Sequence, residues 1–158
     1  MAGIEPIDPG TRGFTLVRVL LTVCAIEFLG PWLRDFSDSH VFNPSWVGHA
    51  RLHMMWLLGF FLFSGIGVLW LVWGPRPQRL VYLDAACMWI AANFLGFWGA
   101  VATTGVYGGL VVVPGLHYFI FGIEENVFVF GVLSSIFLVA LAVLHLVVRP
   151  QVEAVRRR

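Results

Sequence analysis

The fold is decided by residues 50–77, ARLHMMWLLGFFLFSGIGVLWLVWGPRP. From Leu52 to Trp73 the only ionisable residue is His53. A helix needs about 20 apolar residues to cross a bilayer, so residues 50–73 read as a membrane span. Gly74, Pro75 and Pro77 supply a strong helix stop directly after it. Three further runs have the same character: residues 13–33, 80–103 and 126–148. The chain of 158 residues is 59% hydrophobic and 12% charged, with mean hydropathy +0.84. Soluble domains are about a quarter charged, which excludes that class here. The expectation is an all-α membrane protein, a single antiparallel bundle of four transmembrane helices over residues 1–158.

Working outward, Pro31 is expected to bend or end the first span, and Arg149-Pro150 to close the fourth. The N-terminus lacks the pattern of a cleaved signal peptide, so the first span is expected to stay in the membrane. Cys24 and Cys87 sit in apolar runs and read as packed free thiols. Residues 103–126, TTGVYGGLVVVPGLHYFIFGIEEN, are too apolar for a plain loop. They are expected to fold back on the bundle, with residues 117–123 as a short interfacial or re-entrant piece; a fourth helix starting near Pro114 is the alternative. With four spans, both termini and the loop after span two share one side. That side holds eight of the ten arginines, so the positive-inside rule predicts cytoplasmic termini.

The outer side then holds a segment rich in chemistry, Asp38 to Trp56, DSHVFNPSWVGHARLHMMW. Asn43-Pro44-Ser45 reads as a turn into span two. His49 and His53 are four apart, so both rings project from one helix face. A neutral imidazole is a good ligand for iron, copper or zinc, and His53 reads equally as a ligand or as a structural histidine. Glu27 in span one reaches a similar depth, Asn93 lies deeper on span three, and all four are expected to converge in the outer half of the bundle. The alternative is a hydrogen-bonded network that pins the helices together. Glu27 is expected to be functional, because an ionisable group at that depth is expensive without a partner. His40 reads as a loop residue or as a further metal ligand. Arg51 is expected to pair with Asp35, Asp38 or a carboxylate of the last loop, and Asp84 with Arg79 or Arg18. Glu124 and Glu125 are expected to cap the fourth helix. Trp56, Phe60, Trp89 and Phe97 are expected to line an apolar pocket.

Two resemblances rest on these residues. The stretch DFSDSHVFNPSWVGHARLH resembles the signature of a group of small four-span membrane proteins of fungi and bacteria: His-Val-Phe-Asn-Pro, an aromatic residue, then His-Ala-Arg and a second His. Ala50-Arg51-Leu52-His53 is similar to the Ala-Arg-x-His that opens the corresponding helix of styrene oxide isomerases. Those are small four-span membrane enzymes, trimers that bind haem b between subunits. The resemblance implies His53 as the axial ligand and Asn93 as an active-site residue. It also implies an isomerase that converts an epoxide to a carbonyl, with iron as Lewis acid. The match has departures: the family has no counterpart of His49, its asparagine after the ligand falls on Gly59 here, and its Asp-to-Asn spacing is tighter than Asp84 to Asn93.

The functional expectation is therefore a haem-dependent membrane isomerase acting on a lipophilic small molecule. His53 would hold the cofactor, and Asn93, Glu27 and His49 would be the catalytic candidates. The partners expected are the lipid bilayer, the substrate and further copies of the chain, three by the resemblance, with no nucleic acid. The alternatives are a non-haem transition-metal enzyme using His53, His49, Glu27 and His40, and a non-catalytic lipid-binding or assembly protein.

Overall fold

The computed structural model describes residues 7–8, 10–74, 80–112, 115 and 118–157. Four helical spans are long and apolar enough to cross a membrane: Phe14–Asp35, Gly48–Trp73, Leu80–Ala102 and Glu125–Val155. The elements are α1 (Phe14–Cys24), a 3-10 turn (Ala25–Phe28), α2 (Gly30–Asp35), α3 (Gly48–Trp73) and α4 (Leu80–Ala102). There follow α5 (Thr104–Tyr107), a hairpin of β1 (Phe119–Ile120) and β2 (Ile123–Glu124), α6 (Glu125–Val143), a π turn (Leu144–Val148) and α7 (Arg149–Arg156).

Neighbouring spans run antiparallel, as three cross-bundle contacts show. Arg18, early in α1, donates its Nε to the Val72 carbonyl at the end of α3, 3.0 Å away. Arg34, at the end of α2, pairs with Glu125 at the start of α6 at 2.6 Å. Asp84, early in α4, pairs with Arg149 at the start of α7, also at 2.6 Å. α1 packs mainly on α6, and α3 mainly on α4.

α1 buries Phe14, Val17, Leu21 and Cys24, a helical stripe that continues into Phe28. Gly65 of α3 lets that last ring close in, since an added Cβ would sit 3.2 Å from the Phe28 Cβ. Small residues at such contacts are how membrane helices approach closely, because lipid gives no hydrophobic drive to associate. Both cysteines are free and buried.

Several boundaries differ from the sequence expectation. The first span breaks at the 3-10 turn, ahead of Pro31, which sits in the first turn of the resumed helix, where a missing N–H costs nothing. The fourth span does not end at Arg149-Pro150. It widens into the π turn just before that point and runs on to Arg156. A local widening of this kind gives the proline ring room beside the preceding turn.

Glu124 caps α6, its carboxylate accepting from the Val127 N–H at 2.9 Å, as expected. The helix starts at Glu125, so the long-helix alternative from Pro114 does not hold. The connection instead contains α5 and the two-residue hairpin, whose apex residues Phe121 and Gly122 both have positive φ (52° and 80°). That is the twist two-residue hairpins require. His117, placed by the sequence reading in the interfacial piece, lies outside the described residues.

Candidate functional site

A cavity of about 920 Å³ opens in the half of the bundle that bears the His40–His53 segment. Phe60 and Trp89 form one wall, with ring centroids 6.1 Å apart. Phe97 and Phe130 stack at 3.8 Å on another side. Asn93 projects into the cavity from α4. The rim is polar, with Arg34, Asp35, His40, Glu124 and Glu125. Of the four residues expected to line a pocket, Phe60, Trp89 and Phe97 do so, whereas Trp56 points away and is 70% exposed.

The four polar residues expected to converge separate into two pairs. Glu27 and Asn93 form the inner one. In a 3-10 turn residues three apart lie over one another, so Glu27 is stacked on the buried Cys24 and turned into the bundle. It is 3% exposed. Asn93 is close enough to interact with it, but the geometry is not that of an aligned hydrogen bond. Neither Glu27 oxygen, nor the Nδ2 of Asn93, has a hydrogen-bond partner among the described residues. Buried polar groups in proteins are overwhelmingly satisfied, so the unpaired Asn93 amide, which lines the cavity, marks a place where something else bonds.

His49 and His53 form the outer pair. Their Nε2 atoms are 3.0 Å apart and the rings meet edge to face at 4.5 Å. Both are exposed, and neither lines the cavity. Along α3 they stand one to three turns nearer the helix start than Leu57, Phe60 and Phe61, which line the cavity, and they face away from the bundle core. At 3.6 residues per turn, His49 and His53 lie about 100° to 180° around the helix from Leu58, Gly65 and Val72, which face the bundle. That rotation is readable from the sequence once Gly65 is taken as the contact, a signal that the histidine spacing alone does not give.

His40 sits apart from both pairs. Its Nδ1 is 2.9 Å from the Ser39 hydroxyl and 3.7 Å from Asp35, and its ring meets Trp46 at 5.7 Å. No three metal-ligating side chains gather among the described residues. The Asn43-Pro44-Ser45 turn forms as expected, the Asn43 side chain accepting from the Ser45 N–H and hydroxyl. Arg51 does not take up an expected carboxylate: its Nε is buried without a partner among the described residues. Asp84 pairs with Arg149 instead of Arg18, which lies 3.8 Å over the Trp73 ring.

Sequence reasoning missed the rim. Arg34 both pairs with Glu125 and covers the Tyr118 ring at 4.4 Å, tying the hairpin segment to α2 across the cavity mouth. Adjacent acidic residues after an aromatic-rich loop, opposite a lone arginine, were the available signal.

Fold and cavity together define the class: a multi-pass integral membrane protein with an internal pocket, aromatic in its depth and polar at its mouth. Comparison with known proteins adds no family to this, since no family model, no curated protein and no solved structure matches the chain.

Proposed function

We propose that the chain is a membrane-embedded, haem-dependent isomerase of a lipophilic small molecule, with termini in the cytoplasm and several copies, three by the resemblance, in the assembly. The observation that carries the substrate side is the cavity with the unpaired Asn93 amide in its lining. A ligand-sized, mostly apolar pocket with a few convergent polar groups is the usual form of a small-molecule site.

The residues present fit haem on the ligand side. His53 is an exposed imidazole whose ring lies 6.0 Å from Trp56, and Leu52 and Trp56 leave an apolar surface around it. Phe60 lies two turns along the same face and is also cavity wall, so His53 stands roughly 10 Å along α3 from that wall. When bound, haem supplies a Lewis-acidic iron that withdraws charge from an epoxide oxygen. The chain's own residues do the rest. The aromatic walls exclude water from a carbon centre that becomes electron-poor. The Asn93 Nδ2, unpaired in the fold, donates to the substrate oxygen.

The test is an absorbance spectrum of the full chain purified from haem-replete cells. A Soret band that disappears in His53→Ala is expected. A wild-type protein without the band overturns the haem reading and leaves a lipid-binding or assembly role for the cavity.

A further inference from the structure

We infer that His49 and His53 together form a bidentate site for a divalent transition-metal ion such as Zn²⁺, Co²⁺ or Ni²⁺. The spacing His-x-x-x-His on a helix puts two imidazoles on one face, as in the helical zinc motif of metalloproteases. Here Ala50 stands where that motif carries its general base, so the pair binds without hydrolytic chemistry. Two nitrogens each about 2.1 Å from one ion lie about 3.0 to 3.4 Å apart at right-angled to tetrahedral geometry. The observed Nε2 separation is 3.0 Å.

The two rings are already held at that spacing by a hydrogen bond between their Nε2 atoms, whose proton the ion would replace. Both are exposed on the fold, which leaves the remaining coordination positions uncovered by the chain. Arg51, the nearest cation in sequence, is two residues from each histidine and so projects from the other side of the helix. Glu27, the nearest carboxyl in depth, faces inward and belongs to the other pair.

The ion and haem need the same atom. If His53 ligates iron through Nε2, it cannot also close the chelate with His49. The pair therefore makes haem loading sensitive to divalent metal, and His49 is the residue that confers it. This competition rests on the haem reading; the chelate itself does not.

The experiment uses the full chain from haem-depleted cells in detergent, titrated with Co²⁺ and read by its ligand-field absorbance. One ion per chain is expected, and His49→Gln and His53→Gln should each weaken binding on the order of tenfold or more, the loss of one of two chelating arms. Because ions that bind only the folded state stabilise it, Zn²⁺ should raise the unfolding midpoint of wild type and not of His49→Gln. Zn²⁺ should slow haem uptake by wild type and leave uptake by His49→Gln unaffected. Unchanged Co²⁺ affinity in His49→Gln overturns the chelate. Equal inhibition of haem uptake in both proteins overturns the competition. Failure of haem to bind wild type with no metal present removes the haem reading alone, and the Co²⁺ titration still decides the chelate.

Discussion

Replacing Glu27 with methionine should make this protein more stable. The carboxyl is 3% exposed, and both its oxygens lack hydrogen-bond partners among the described residues. A buried, unsatisfied polar group costs about 1–3 kcal/mol relative to an apolar group of the same shape. Methionine has nearly the same length, no branch and soft packing, so it fills the space without strain. The expected gain for Glu27→Met is thus about 1–3 kcal/mol in unfolding free energy. Glu27→Ala removes the same penalty but opens a void; truncating a buried Met-sized side chain costs about 2–5 kcal/mol, so alanine should fall below methionine by that amount. Reversible unfolding in mixed micelles measures both. A Glu27→Met protein less stable than wild type would refute the reasoning. It would mean that the carboxyl is bonded within the fold and is part of the architecture.

Other outcomes follow from contacts already described. Gly65→Leu should lose about 1–3 kcal/mol through overpacking against Phe28, whereas Gly59→Ala, with nothing within 4 Å of the added Cβ, should be neutral or gain up to about 1 kcal/mol of helix propensity. Thermal unfolding in detergent compares the two. A double-mutant cycle on Asp84→Asn and Arg149→Gln should give a coupling of about 0.5–1 kcal/mol that shrinks in high salt, since both side chains are partly exposed. Arg34→Gln should leave global stability within about 1 kcal/mol of wild type, because the pair with Glu125 is solvent-accessible. Hydrogen exchange should nonetheless quicken at the Glu125 amide, which bonds the Tyr118 carbonyl at 2.9 Å.

The bundle was legible because four runs of some twenty apolar residues leave the chain few alternatives in lipid, where every backbone group must bond within its own helix. What escaped was local winding. Nothing in the composition of Ala25–Phe28 announces a 3-10 turn, yet that turn decides where Glu27 faces. Arg149-Pro150 read as a stop, and the π turn before it carried the helix through. The candidate site divided for a similar reason. Depth along a helix can be counted from sequence, so Glu27, His49 and His53 were placed at similar levels and Asn93 deeper. Azimuth cannot be counted in a helix that is apolar all round, as α3 is, because no polar face marks the outside. Only the small residue Gly65 carried that information. The rim contacts of Arg34 depended on a turn geometry at Phe121-Gly122 that the run of aliphatic residues before it concealed.

The hairpin apex has a physical consequence for how anything reaches the pocket. Phe121 is 90% exposed, held out on a turn whose positive φ leaves it little freedom to tuck back. A bare phenyl ring has no polar edge to hold in water, so in a bilayer it favours the apolar side of the boundary and draws its strand pair with it. The doorway framed by Arg34 and Glu125 stands beside that strand pair, so a bilayer that takes up the ring brings lipid to the mouth of the pocket.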